Sequence, residues 1–173
     1  MWVVESYTKL RAATTATAFL WAKMKTAYRA LLFSAAVKVS FRGDVAGSQK
    51  QYGFLIPAEI ETCDTVEIYE APIDAMSGAT LRQYKHDAPW RSVHYLALGG
   101  LNHQPIDYFL QQHPEVKRVA LCFDRDEPGR NFTKIVAKRL TERGYIVQDT
   151  PPAIGKDYND YLLAARRLIS MER

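Results

Sequence analysis

The chain has 173 residues, of which 47% are hydrophobic and 24% charged, and its formal net charge is +4. This length suffices for one full domain with an extension and is too short for two separate cores. Because no run of about 18 apolar residues occurs, the composition does not support a membrane-spanning helix. The two cysteines, Cys63 and Cys122, lack metal-cluster spacing, which favours a reducing, cytoplasmic compartment.

The amino-terminal 43 residues are basic. They contain seven Lys and Arg residues against Glu5 alone, a net charge of +6. An anionic partner and an ordinary solvated surface fit this charge equally well. Apolar residues at spacings of three and four predict a helix from residue 2 to about residue 34. We therefore expect residues 1–36 to form a basic helical extension.

The pattern changes at Val37, where apolar and polar side chains begin to alternate. Residues 37–42 and 52–57 read as strands, and the segment between them is rich in turn-forming residues. This pattern predicts a β-hairpin within residues 37–60. The turn at residues 47–50 could offer backbone amides and the Lys50 ammonium to a phosphate, although a plain hairpin loop explains it as well.

Residues 61–173 alternate between short apolar runs and amphipathic segments. Strands are expected at residues 66–69, 94–98, 119–123 and 145–147, and helices near residues 72–84, 106–112, 129–143 and 161–168. Such alternation predicts an α/β fold with a mostly parallel four-stranded sheet flanked by helices. The hairpin and the N-terminal helix would precede this α/β domain.

Carboxylates follow three of the predicted strands. Glu70 comes after the first, Asp124 and Asp126 after the third, and an acidic loop with Asp157 and Asp160 after the fourth. Ligands of parallel sheets bind at the carboxyl ends of the strands. Two carboxylates spaced like Asp124 and Asp126 repel each other without a cation, and Mg²⁺ suits them because it prefers oxygen ligands. Helix capping is the structural alternative for each of these residues.

Four ordered segments carry a family resemblance: residues 70–75 (EAPIDA), 98–100 (LGG), 123–130 (FDRDEPGR) and 155–160 (GKDYND). Together they resemble the motifs of a Toprim domain, and more narrowly the Toprim-like domains of bacterial mobile-element and primase-type proteins. The resemblance covers about residues 37–165. It implies the Rossmann-like Toprim fold.

The resemblance also implies a division of roles. Glu70 would act as general acid and base, and Asp124 and Asp126 would hold Mg²⁺, which Mn²⁺ could replace. The metal site would further draw on Glu70, Asp157 and Asp160, and phosphate or nucleic acid would be contacted by Lys156, Arg125, Arg130 and Lys50.

The implied activity is nucleotidyl transfer or strand cleavage at nucleic-acid phosphodiesters, in DNA replication, mobilisation or repair. DNA is expected ahead of RNA as the partner, with replication or mobilisation proteins as further candidates. Ala71 stands where Gly commonly follows the catalytic Glu, so a non-catalytic nucleic-acid or partner-binding module stays open, as does the direction of any reaction. A phosphatase or receiver domain is disfavoured, because no Ser or Thr follows Asp126 at the spacing of a nucleophile loop. The chain is also too short to contain the nucleophile domain of a topoisomerase or the template-binding module of a primase.

Overall fold

A computed structural model describes residues 17–24, 27–34, 42–44, 48–85 and 89–171. The chain divides into two compact units, Met1–Gln49 and Lys50–Arg173. No helix in the described ranges is both long and apolar enough to cross a membrane. The predicted domain boundaries at residues 36 and 60 stay predictions.

The first unit contains an antiparallel three-stranded sheet of order β1-β2-β3, formed by Thr17–Met24, Ala27–Ser34 and Arg42–Asp44. The prediction of a helix through residue 34 is therefore wrong for residues 17–24 and 27–34; residues 2–16 lie outside the described residues. Strands β1 and β2 each contain two aromatic residues, and they pair along their whole length, from Thr17 opposite Ser34 to Met24 opposite Ala27. The apolar spacing of this segment was compatible with the period of a helix and with that of a strand. Pairing between β1 and β2 stabilises the strands.

The predicted hairpin within residues 37–60 is also wrong. Strand β3 pairs with β2, whereas β4, Phe54–Ile56, pairs antiparallel with a strand of the second unit, His94–Ala97. Residues 37–41 lie outside the described residues. The turn-forming residues between the two segments correctly indicated a loop, but a loop signal does not specify which strand each flanking segment joins.

The second unit is built on a five-stranded sheet of order β4-β6-β5-β7-β8. Its parallel strands are β5 (Thr65–Tyr69), β6 (His94–Ala97), β7 (Arg118–Cys122) and β8 (Ile146–Asp149). They are the four predicted strands, and the antiparallel β4 adds a fifth at one edge. The helices between and after them are α1 (Pro72–Lys85), α2 (Gln104–Gln112), α3 (Glu127–Glu142) and α4 (Tyr158–Met171), with a short 3-10 helix at Trp90–Ser92.

Side chains on the two faces of this sheet form two apolar clusters. Val66 and Ile68 of β5 pack with α2 and α3 on one face, and Tyr69 packs with α1 and α4 on the other. Alternate residues of a strand point to opposite faces, so each strand supplies both clusters. The sheet is covered on both sides, which leaves the rim at the strand ends for function.

Candidate functional site

The Glu70 segment lies at the carboxyl end of β5. Its carbonyl oxygen accepts hydrogen bonds from the backbone amides of Gly99 (2.8 Å) and Gly100 (3.0 Å), which follow the neighbouring strand β6. Both glycines have positive φ angles, 70° and 118°, which other residues rarely adopt. The Gly-Gly turn therefore fixes the backbone of Glu70.

Asp124 and Asp126 lie on the loop between β7 and α3. Asp126 caps the helix, because its Oδ1 accepts the amide of Gly129 at 2.9 Å. Its other oxygen, Oδ2, points to the same ammonium group as Asp124. A Cβ at position 129 would lie 2.4 Å from the Asp124 carbonyl oxygen, so only glycine allows the helix to start this close to the loop. Asp126 thus combines helix capping with a position on the rim.

Arg130 ties this loop to the edge of the sheet. Its Nε and Nη2 donate to the carbonyl oxygens of Asp124 (3.1 Å) and Phe123 (3.0 Å), and its Nη1 contacts both oxygens of Asp149 at 2.9 and 3.0 Å. The guanidinium that was expected to contact phosphate is thereby engaged with the protein.

The loop after β8 is held against the Asp124 loop by its backbone. The carbonyl oxygen of Lys156 accepts the amide of Arg125 at 2.8 Å, and the Lys156 amide donates to Asp160 Oδ2 at 3.1 Å. Asp157 Oδ1 accepts the amide of Asp160 at 2.7 Å. Asp160 therefore shapes this loop.

The side chain of Lys156 bridges the two aspartates. Its Nζ lies 3.1 Å from Asp126 Oδ2 and 3.4 Å from Asp124 Oδ2. These two carboxylates raise the pKa of Lys156. The amide of Gly129, followed by Lys156, lowers the pKa of Asp126, whereas burial raises the pKa of Asp124 despite the same ammonium. A positive charge thus already stands where two carboxylates would otherwise repel each other.

Asp74, in the first turn of α1, is a site residue that the sequence analysis did not assign. It is only 4% exposed, and its Oδ1 accepts the amide of Asn159 at 3.2 Å. Burial first, and then the charges of Asp157, Asp124 and Glu70, raise its pKa to about 7 against the lowering effect of the Asn159 amide. The available signal was its place four residues after Glu70, in the first turn of the helix that follows.

These interactions place Glu70, Asp74, Asp124, Asp126 and Asp157 on one rim, which we call the acidic rim. Asp157, Asp124 and Glu70 lie close enough to Asp74 for their charges to add to the effect of burial on its pKa. Hard carboxylate oxygens in excess of cations are the donor set that Mg²⁺ prefers, and the Lys156 ammonium already acts as a cation between two of them. The donor chemistry of these residues therefore fits a divalent metal.

The remaining predicted residues are peripheral. Arg125 is exposed, and its Nη1 lies 3.4 Å from the carbonyl oxygen of Ala153. Lys50 is exposed, and its carbonyl oxygen accepts from Asn102 Nδ2 at 3.5 Å. Neither contact holds the Arg125 guanidinium or the Lys50 ammonium at the acidic rim.

A second group, His94, His113 and Glu115, lies at the opposite end of the parallel strands, with its potential ligand atoms within 4.8 Å of one another. Ala58 donates its backbone amide to His94 Nδ1 at 3.2 Å, so the neutral ring carries its proton on Nε2. The protonated nitrogen has no lone pair for a metal. His113 Nδ1 lies 2.8 Å from Glu115 Oε1, which ties these two side chains to each other. His94 would therefore have to give up its hydrogen bond with Ala58 in order to bind a metal.

Comparison of structures found similar folds in two primases. The primase fragment of the bacteriophage T7 primase-helicase protein has a TM-score of 0.54 and 15% identity, over 89% of this chain and 65% of that chain. The zinc-binding and RNA polymerase domains of Aquifex aeolicus primase give 0.51 and 18%, over 88% of this chain and 43% of that chain. Identities this low indicate a shared fold alone, and the chain spans under two thirds of either structure.

Comparison of sequences identified the family. No curated protein matched the chain. The sequence profile of the family described as Toprim-like matches residues 67–162, a segment that runs from within β5 into α4 and contains Glu70, Asp124, Asp126 and Asp157. As this segment makes up more than half of the chain, the protein belongs to the Toprim-like family.

Proposed function

We propose that this protein is a Mg²⁺-dependent Toprim-like domain that acts on nucleic-acid phosphodiesters, by nucleotidyl transfer or strand cleavage. The observation that carries the proposal is the acidic rim. Five carboxylates from three separate segments meet at the carboxyl ends of the parallel strands, and burial together with the neighbouring acids raises the pKa of one of them, Asp74, to about 7.

In this proposal Asp124 and Asp126 hold the metal, with Glu70 and Asp157 beside them. Asp160 contributes to the metal site through the loop that it shapes. The bound metal would neutralise phosphate charge, and Mn²⁺ could replace Mg²⁺. Arg130 keeps the backbone of the Asp124 loop in place through its bonds to the ends of β7 and β8.

Glu70 would exchange the proton of the reacting hydroxyl or leaving group. The Gly99-Gly100 turn supports this role, because it fixes the Glu70 backbone with two hydrogen bonds. A fixed backbone limits where the carboxylate can reach and so helps to position a general acid or base.

The nucleic acid in this proposal is DNA ahead of RNA. The fold resembles two proteins described as primases, and the first 43 residues carry a net charge of +6. Lys156, Arg125 and Lys50 add exposed cations in the second unit. We further propose that the protein acts in the cytoplasm with replication or mobilisation proteins, in the context of a bacterial mobile element.

The alternative is a nucleic-acid or partner-binding module without turnover. Lys156 favours it, because its ammonium already offsets part of the negative charge of the Asp124–Asp126 pair. Ala71, at the position where many Toprim domains have glycine, favours it as well. The two proposals differ in whether a metal enters the acidic rim and whether Glu70 then supports chemistry.

A thermal-shift experiment tests metal binding. Millimolar Mg²⁺ is expected to raise the melting temperature of the wild type, by about 2–4 °C per kcal/mol of binding free energy. Asp124→Asn with Asp126→Asn should abolish the shift, whereas Glu142→Gln, an exposed carboxylate at the far end of α3, should retain it. A wild type with no shift would refute the metal-dependent proposal.

Catalysis is tested separately with labelled single-stranded DNA, nucleoside triphosphates and Mg²⁺. The wild type should extend or cleave the nucleic acid, and Glu70→Gln should lose most of that activity while keeping the Mg²⁺-induced thermal shift. Metal and DNA binding without any product from the wild type would favour the non-catalytic alternative.

A further inference from the structure

Lys156 occupies the space between the two aspartates of the acidic rim. Its ammonium contacts one oxygen of each aspartate, Asp126 Oδ2 at 3.1 Å and Asp124 Oδ2 at 3.4 Å. A metal held by both aspartates would compete with Lys156 for these oxygens, because the other oxygen of Asp126 is already bonded to the Gly129 amide. Two cations cannot share them at hydrogen-bond distance without strong mutual repulsion.

The backbone of Lys156 is fixed, but its side chain is open to solvent. Gly155 has a φ of +79°, and a Cβ there would lie 2.3 Å from Asp160 Cβ, so the start of the loop has little freedom. The carbonyl and amide of Lys156 are bonded to Arg125 and Asp160. By contrast, 56% of the Lys156 side chain is exposed. The ammonium can therefore leave the carboxylates by side-chain rotation alone, without unfolding the loop.

We propose that Lys156 is a built-in counter-cation of the Asp124–Asp126 pair, which a divalent cation displaces when it binds; this inference rests on the proposed function. Lys156 thereby sets the metal concentration at which the acidic rim is loaded. The displaced ammonium stays tethered to the rim by its own backbone. A phosphate group held at the metal is the chemical partner that this cation then fits.

The first test measures Mn²⁺ affinity by calorimetry, with Lys156→Met to remove the charge at similar side-chain length. The variant is expected to bind Mn²⁺ about fivefold more tightly, because two partly exposed ion pairs no longer compete. Lys156→Arg keeps the charge and should stay within about twofold of the wild type. Lys138→Met removes an exposed lysine from α3 as a control and should leave the affinity unchanged. Melting curves verify that each variant is folded.

The second test follows the ammonium itself. Reductive methylation of the wild type, quantified by mass spectrometry, should label Lys156 at least about twofold faster when Mn²⁺ is present. Without Mn²⁺, the two carboxylates hold the ammonium and make it less accessible to the reagent. Labelling of Lys138, whose side chain is 79% exposed, should not change.

The outcomes separate this inference from the proposed function. Tighter binding by Lys156→Met together with faster wild-type labelling supports displacement. Binding by the variant alone overturns it, because Lys156 then blocks the site instead of yielding to the metal. Equal or weaker binding by the variant, or unchanged labelling in Mn²⁺-loaded wild type, overturns the counter-cation role while the metal site stands. If neither the wild type nor Lys156→Met binds Mn²⁺, the proposed function is wrong, and so is this inference, which rests on it.

Discussion

At the scale of single residues, Asp74 shows how burial changes the chemistry of a carboxylate. It is almost completely buried beside other acids, and its hydrogen bond from the Asn159 amide only partly compensates. The protonated form is therefore favoured in the folded protein. Since the pKa rises from 3.8 to about 7, the stability that Asp74 contributes is present below about pH 4 and is lost as the pH rises to 7.

Asp74→Asn should accordingly stabilise the metal-free protein at pH 8, by on the order of 2–4 kcal/mol. The amide oxygen can still accept the Asn159 bond, and the buried charge is gone. Urea unfolding in EDTA measures this difference, which should shrink towards zero near pH 4. Added Mg²⁺ should also reduce it, because the metal supplies the missing positive charge. A variant that is less stable than the wild type at pH 8 would contradict the assignment.

At the scale of secondary-structure elements, Arg130 connects the first turn of α3 to the ends of two strands. It donates to two backbone carbonyls of the Asp124 loop and to the carboxylate of Asp149. The Asp149 side chain is half exposed, so the ion pair itself contributes little, whereas the backbone carbonyls lose their donor if the guanidinium is removed.

Arg130→Met is therefore expected to destabilise the protein by about 1–3 kcal/mol. Asp149→Asn, the matched change at the other end of the ion pair, should cost less than about 1 kcal/mol. Chemical denaturation compares the two, and the Mg²⁺-induced thermal shift should decrease in the arginine variant only. Equal losses in both variants would show that the ion pair, and not support of the loop, is what Arg130 provides.

At this scale, prediction from the sequence was correct for some elements and wrong for others. Helices α1 to α4 and strands β5 to β8 were predicted because each carries its own apolar period and turn residues, as Pro72 at the start of α1 illustrates. Strands β1 and β2 were predicted as a helix, because apolar residues at spacings of three and four are typical of one. Strand β4 was predicted as a strand but with the wrong partner, since its true partner β6 is distant in sequence. Similarly, the strand-end positions of Glu70, Asp124 and Asp126 could be predicted from the sequence. The role of Asp74 depends on the first turn of α4, whose amide at Asn159 reaches it only in the folded chain.

At the scale of the whole molecule, charge is distributed unevenly. Residues 1–43 have a net charge of +6 within a chain of +4, so the remainder is slightly acidic. An acidic surface repels a phosphate backbone unless metal or basic segments compensate. We therefore expect the basic residues to supply affinity for nucleic acid and the metal to supply its position.

Binding to single-stranded and double-stranded DNA should weaken steeply with salt. The logarithm of the affinity is expected to fall linearly with the logarithm of salt concentration, with a slope of about −0.7 per phosphate contact for single strands and −0.9 for duplex. Fluorescence anisotropy across a salt series measures this slope. Binding that does not respond to salt, or no binding at low salt, would argue against nucleic acid as the partner.

A crystal soaked in Mn²⁺ tests the central claim, metal binding by the acidic rim, most directly. We predict an anomalous density peak between Asp124 and Asp126, within reach of Glu70, with the Lys156 ammonium moved away from both carboxylates. A soaked crystal without that peak, in which Lys156 still bridges the two aspartates, would contradict the account.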